Sequence, residues 1–352
     1  MNQRGKRILV TGYSTSKLPD FNPLLKQVSR SFYLSIRVLP RQIRPQIGLT
    51  YILARATDTV ADTTSAPAEL RKEILLEMRA EIAAAAAGQA THSPDFLGLS
   101  EDMSAGDRSL LESFPGALDA LRSCSASDRR CMGDVLLVIT EGQESDLSRF
   151  GNTGSGQITS LDTDEQLDDY TYRVAGCVGE FWTKMCRAHL FPKAKVPDAF
   201  LLEKGVRFGK GLQLVNILRD LPRDLRQGRC YIPRASLAGL GLSPESLLDP
   251  VCMKKFRPLY DRHIRQADRY IADGRTYVDL LPRSQLRVRM ACTLPMLIGV
   301  ETLARLRTCN VLDHSCTIKV SRPEVRLLIL ASLVHCLRPR HTKAVHADSQ
   351  SL

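Results

Sequence analysis

The chain has 352 residues, 43% hydrophobic and 25% charged, with 49 Lys and Arg against 38 Asp and Glu for a formal charge of +11. This is the composition of a globular protein with a substantial core, and it excludes wholesale disorder. No apolar run reaches the roughly 18 residues that a membrane-spanning helix needs; the best stretch, 325–337, is shorter and carries His335.

The basic start, Met1 to Arg7, is followed only by Ile8-Leu9-Val10, which is no secretory segment, so the chain is expected in the cytoplasm. The positive balance favours an anionic partner: nucleic acid, an acidic membrane surface or a phosphorylated substrate. An aromatic content of 6% gives little support to a base-stacking surface. The 10 cysteines are scattered with no CxxC pair, and are expected to be reduced, mostly buried thiols rather than zinc ligands.

Taken along the chain, the elements are nearly all helical. Residues 7–12 (RILVTG) resemble a first strand, but no GxGxxG and no strand–helix alternation comes after them. Residues 68–87 combine strong helix formers with an apolar stripe at Leu70, Ile74, Leu75 and Met78, and Gly88 stops them. Further long helices are predicted over 164–190, 198–221, 253–281 and 284–307, each bounded by Pro or Gly. Pro222 is expected to end or kink the third of these five. Loops are expected at 89–106, 151–160 and 227–250. The fold class is therefore all-α, with an arm over 1–18, one helical domain over 19–338 and a polar, disordered tail over 339–352.

Two acidic motifs fall on separate predicted helices. In Asp58-Thr59-Val60-Ala61-Asp62 the i, i+4 spacing puts both carboxylates on one face, where like charges need compensation, and Arg55 one turn earlier can provide it. Taken alone, this could be an ordinary solvated acidic face. The second motif is Gln213 through Asp224, in which Asn216, Asp220 and Asp224 recur every four residues. Leu214, Val215, Ile217, Leu218 and Leu221 around them make that helix largely buried. Buried carboxylates are costly unless paired or metal-bound, which favours a functional reading.

Oxygen-only ligands suit hard divalent cations, Mg²⁺ above all, held by carboxylates together with substrate phosphates. Two such helices facing each other could hold Mg²⁺ ions that turn a diphosphate into a leaving group. Arg30, Arg55, Arg219, Arg223 and Arg229 are available for the remaining phosphate oxygens. Ser29-Arg30-Ser31-Phe32 offers a phosphate contact before a helix, or simply a capping segment. Tyr170 and Tyr172 lead into Ala175, Gly176 and Gly179, small residues that suit close helix packing better than a bulky ligand. Residues 143–147 (QESDL) are acidic and could stand behind the site's ligands, but read better as a surface turn.

In order, Ser29 to Phe32, Arg55 to Asp62 (RATDTVAD), Tyr170 to Gly179 (YTYRVAGCVG), Gln213 to Asp224 (QLVNILRDLPRD) and Gly228 to Pro233 (GRCYIP) resemble the squalene and phytoene synthase family, the head-to-head prenyl transferases. The resemblance runs from about residue 20 to about residue 330. It implies an all-α isoprenoid synthase fold with a central active-site cavity. It further implies Mg²⁺, with Mn²⁺ as the alternative, on Asp58, Asp62, Asn216, Asp220 and Asp224. Substrate diphosphate would be held by Ser29, Arg30, Arg55, Gln213, Asn216, Arg219 and Arg229, and Tyr170 would assist proton removal.

Two departures are modest: Thr171 lies between the tyrosines where many relatives have Cys, and Pro222 stands where others have a small or polar residue. The stretch 168–185 looks most like bacterial squalene synthases. On that likeness the expected reaction joins two farnesyl diphosphates to presqualene diphosphate and reduces it to squalene with NADPH. Lys319 and Arg322 are the candidate NADPH contacts, or a simple basic turn. Dehydrosqualene, phytoene or presqualene diphosphate are the alternative products.

No DDxxD pair supports a head-to-tail elongating transferase: Asp168-Asp169 is followed by Tyr170 through Arg173. A basic helical protein that binds membrane or nucleic acid would explain the charge but not the buried aspartates. The partner expected is farnesyl diphosphate, with peripheral membrane contact left open, no nucleic acid, and a monomeric state.

Overall fold

The computed structural model describes residues 22–28, 32–96, 98–99, 103–151, 157–313, 316 and 318–337. The strand-like 7–12, the arm 1–18, Ser29, Arg30, Ser31 and the tail 339–352 lie outside them. Helices α1 (Asn22–Val28), α2 (Phe32–Val38), α3 (Arg44–Asp62), α4 (Ala68–Ala87), α5 (Ala105–Glu112), α6 (Phe114–Ser123) and α7 (Ala126–Phe150) make the first half. After them come α8 (Asp164–Thr171), α9 (Cys177–His189), α10 (Asp198–Arg226), α11 (Arg234–Ala238), α12 (Met253–Leu280), α13 (Leu286–Thr308) and α14 (Arg322–Leu337). The β-structure among the described residues is one parallel ladder of two-residue strands, β1 (Thr159–Ser160) beside β2 (Arg229–Cys230).

The predicted helix at 68–87 is α4, closed by Gly88 in the left-handed conformation at φ +81°. The segment 164–190, expected as one helix, is three pieces: α8, a π-helical turn over Tyr172–Gly176, and α9. A π-turn inserts one residue into the helical register and re-aims the side chains before it, and such turns concentrate at functional sites. The loop expected at 227–250 contains β2, α11 and a short 3-10 turn over Glu245–Leu248.

Pro222 does not end its helix; α10 continues to Arg226. The ring does remove the amide that would have bonded the Leu218 carbonyl, but the hydroxyl of buried Tyr260 on α12 donates to that carbonyl at 3.0 Å. The helix therefore survives because a partner 42 residues away replaces the missing bond.

The core gathers around α10, which packs against α9, α12, α8 and α13. The small residues flagged at 175–179 serve close packing there. A Cβ on Gly179 would stand 2.0 Å from the Gly205 carbonyl oxygen, and one on Gly209 2.2 Å from that of Ala175. Backbone thus touches backbone, and α10 is held tightly against the π-turn and α9. All ten cysteines are free, five of them buried (Cys177, Cys186, Cys230, Cys292 and Cys336) and none fully exposed. No described helix is long and apolar enough to cross a membrane.

Candidate active site

The first motif lies in the last two turns of α3. Its inward face is set by buried Leu53, Ala56 and Val60, so Asp58 and Asp62 emerge together on the opposite side. Their side chains are 44% and 61% exposed, half-buried at the end of the helix. Arg55 pairs with Asp58, as its position one turn earlier required, and reaches Asp107 at 3.6 Å. Even so, burial of the surrounding chain and the charge of Asp62 push the Asp58 carboxyl up to about 6, against the pull of Arg55. Arg71 of α4 is buried and donates to the Ala61 carbonyl at 2.8 Å, adding a guanidinium beneath the same helix end.

The second motif runs down α10. Because the helix is continuous through Pro222, Gln213, Asn216, Asp220 and Asp224 form one stripe at i, i+3, i+7 and i+11. The Asn216 amide donates to the Gln213 side-chain oxygen at 3.4 Å. Arg219 grips Asp220 through two bonds, at 2.8 and 2.7 Å. Arg223 lies 3.7 Å from Asp220 and 3.6 Å from Asp224. Asp224 is buried, and that burial, with repulsion from Asp220, raises its carboxyl to about 6 despite Arg223.

Arg229 joins the two motifs. The chain leaves α10 through Gly228 at φ +75°, and the ladder then pairs Arg229 with Thr159. This turn returns Arg229 across the helix end to within 4.0 Å of Asp62, where it also acts on Asp58 and Asp224.

Two further residues complete the cluster, Asp146 and Tyr231. Asp146 was expected in a surface turn; it lies instead in the penultimate turn of the 25-residue α7. Its carboxylate accepts from the Tyr231 hydroxyl at 2.9 Å. Burial, with repulsion from Asp62 and Asp224, pushes it up to about 6 against the pull of Tyr231 and Arg229. Tyr231 stacks on Tyr170 with ring centroids 4.6 Å apart and planes inclined by 25°. Tyr170 is driven well above the ordinary phenol range by burial and then by Asp146, so it stays protonated. The stripe Met132, Leu136, Thr140, Gln143, Leu147 and Phe150, spaced by three and four, was the available signal that α7 carries Asp146 inward.

Other sequence candidates fall elsewhere. Lys319, just before α14, and Arg322, its first residue, stand exposed, and among the described residues neither makes a contact with α3 or α10. Asp168 pairs with Lys210, and Asp169 with Arg173 at 2.7 Å, so both are structural anchors. Tyr172 donates to Glu180 at 2.9 Å, away from the acidic cluster. Among the described residues no three His, Cys, Asp or Glu side chains converge on one point as a metal cage would require. In this arrangement arginine charge stands at each of the four motif aspartates.

The squalene/phytoene synthase family model matches residues 25–323. A bifunctional lycopene cyclase/phytoene synthase of Arthroderma gypseum is 29% identical over 299 residues, 82% of this chain and 47% of that protein. A squalene synthase of Saccharomyces cerevisiae is 23% identical over 309 residues, 88% of this chain and 66% of that protein. The chain thus spans between about half and two thirds of the length of these relatives. Among solved structures, a ligand complex of TcSQS superposes with a TM-score of 0.72 at 20% identity, covering 90% of this chain and 87% of that one, a likeness of fold. With the matched segment covering the core and both acidic helices, the chain belongs to the squalene/phytoene synthase family.

Proposed function

We propose that the protein condenses two prenyl diphosphates head to head, with farnesyl diphosphate as substrate and squalene as product after reduction by NADPH. The observation that carries the transferase reading is the junction at Arg229 of an Asp58/Asp62 pair with an Asn216/Asp220/Asp224 stripe. The donors are all oxygens, and burial with repulsion from a neighbouring aspartate holds two of the carboxylates, Asp58 and Asp224, well above their ordinary range. That donor set fits Mg²⁺ on Asp58, Asp62, Asn216, Asp220 and Asp224, with Mn²⁺ as a substitute. When bound, the cation supplies the charge that makes diphosphate a leaving group.

The arginines have a second task in this reading. Arg55 and Arg219, which now neutralise Asp58 and Asp220, exchange their carboxylates for phosphate oxygens once other positive charge serves the aspartates. Arg229, fixed by its ladder, keeps its place between the two helices, and Gln213 and Ser29–Arg30 add polar contacts to the diphosphate.

Tyr170, being protonated, is a poor base by itself. It can take a proton from the condensing carbon only while passing its own onward. Tyr231, stacked on Tyr170, and Asp146 offer that path in this reading: Tyr231 takes the Tyr170 proton on its oxygen while giving its own to the Asp146 carboxylate, to which it already donates. A carboxyl raised to about 6 is a far better terminal acceptor than an ordinary one.

The choice of squalene rests on the likeness of 168–185 to bacterial squalene synthases, with Lys319 and Arg322 proposed for NADPH phosphates. A second reading, phytoene from geranylgeranyl diphosphate, is favoured by the relative of 29% identity that carries a phytoene synthase. Incubating the purified chain with each diphosphate and Mg²⁺, with and without NADPH, separates them by product mass. A C30 hydrocarbon that needs NADPH supports squalene. A C40 product, or accumulation of presqualene diphosphate with NADPH present, refutes it.

A further inference from the structure

The end of α3 places two carboxylates where a helix is least suited to hold them. The last four carbonyls of a helix lack partners within it and make that end negative, so Asp58 and Asp62 in the last two turns add like charge. Of those carbonyls, that of Thr59 accepts from the Thr63 hydroxyl at 2.7 Å and that of Val60 from the Thr63 amide at 3.4 Å. The Ala61 carbonyl, next to Asp62, accepts instead from the guanidinium of Arg71, near the start of α4, at 2.8 Å.

One carbonyl does not account for a buried cation. Arg71 is 5% exposed, and its Nε is buried with no hydrogen-bond partner among the described residues, an unfavourable arrangement. The hydroxyl of Thr63 does the same task for Thr59 without burying a charge. What the guanidinium adds is positive charge at the negative end of α3. Burial and then Arg229 hold Arg71 below the usual guanidinium range, while Asp62 and Glu69 act the other way, so it stands within the field of both Arg229 and Asp62.

Asp62 has little else to fix it. Its ion pair with Arg229 spans 4.0 Å, too long for a hydrogen bond. Where its carboxylate stands relative to Arg229 and α10 is therefore inherited from the backbone beneath it, which Arg71 ties to α4. Arg289 of α13 is the same device without a motif to carry. It is 3% exposed, its Nε is likewise unpartnered, and it donates to the Val278 and Leu281 carbonyls at the end of α12 at 2.7 and 3.2 Å. The carboxylate beside it, Asp279 at 3.8 Å, belongs to neither acidic motif.

We infer that Arg71 is a positioning residue for the first motif: by tying the end of α3 to α4 it sets where Asp62 stands for a metal-bound diphosphate. This rests on the role proposed for Asp58 and Asp62, and the test separates the two. The probe is Mn²⁺ with inorganic diphosphate on the full chain, without prenyl substrate, free Mn²⁺ being read by electron paramagnetic resonance.

Arg71→Met should weaken Mn²⁺ retention about tenfold, and Arg71→Lys, which keeps a charge and a donor, by no more than about twofold. Arg289→Met should leave retention unchanged, although urea unfolding should show both methionine variants destabilised. With Asp62→Ala already in place, Arg71→Met should cause no further loss. In metal-free buffer, amide exchange over 59–66 should quicken in Arg71→Met and not in Arg289→Met. Should Arg71→Met lose its helices by circular dichroism, Arg71→Gln takes its place, with a loss of about threefold that again vanishes beside Asp62→Ala.

Unchanged retention in Arg71→Met, while Asp58→Ala loses it, makes Arg71 a structural clamp and overturns the inference. So does an equal loss in Arg289→Met, or a further loss on top of Asp62→Ala. Full retention by Asp58→Ala instead refutes the metal site itself, and the inference falls with it.

Discussion

Replacing Asp146 by Asn should make the protein more stable at pH 8 while slowing its chemistry. The carboxyl is pushed from its ordinary 3.8 up to about 6, first by burial and then by Asp62 and Asp224. Its ionised form is therefore penalised in the folded state, fully above pH 6, and the penalty fades as pH falls from 6 towards 4. Two units at about 1.4 kcal/mol each give about 3 kcal/mol with rigid surroundings, and about half of that once neighbours relax and water enters. Asparagine keeps the shape and the oxygen that accepts from Tyr231, so the packing of α7 should not change.

Urea unfolding in metal-free buffer should show Asp146→Asn more stable by about 1.5 kcal/mol at pH 8, shrinking to about a third of that at pH 4.5. Single-turnover formation of the first condensation product should slow by tenfold or more, with little change in KM. A loss of stability at pH 8 would show that the carboxylate is held by favourable contacts. An unchanged condensation rate would remove Asp146 from the proton path.

The other substitutions test separate parts of the site and its frame. Asp58→Ala and Asp220→Ala should each lower turnover by more than about a hundredfold at saturating Mg²⁺ with the helical content intact, measured by diphosphate release and circular dichroism; near-normal rates in both would refute the two-motif site. Tyr170→Phe should slow the first condensation more than it raises KM, and an unchanged rate would leave the ring a packing role against Tyr231. Tyr260→Phe should destabilise the fold by about 1–3 kcal/mol in urea, because the Leu218 carbonyl opposite Pro222 loses its donor. Gly179→Ala should cost about 1–3 kcal/mol or more, since its methyl meets the Gly205 carbonyl, and a neutral result would mean that α9 and α10 can slide apart.

Sequence carried the helices and the motif stripes because both depend on local spacing: Asp58 and Asp62 share a face at i, i+4, and so do Asn216, Asp220 and Asp224. What it missed depends on residues far away. Pro222 reads as a break because the ring's effect on Leu218 is local, while its remedy, the Tyr260 hydroxyl, comes from α12. The π-turn at Tyr172–Gly176 has no marker in YRVAG; it sits where Gly179 and Gly209 press two backbones together. Asp146 looked like surface because Gln143, Glu144 and Ser145 around it are polar, although the phase of Met132, Leu136, Leu147 and Phe150 already turned that side inward.

The same contrast bears on why the site holds together at all. Asp58, Asp146 and Asp224 are each raised to about 6, first by burial and then by neighbouring carboxylates, against the pull of the arginines beside them. A structural ion-pair network would hold each carboxylate as closely as Arg219 holds Asp220, through two bonds. Repulsion left among these carboxylates is what a site built to receive further positive charge would retain, at a cost that the packing of α10 against α9 and α12 offsets.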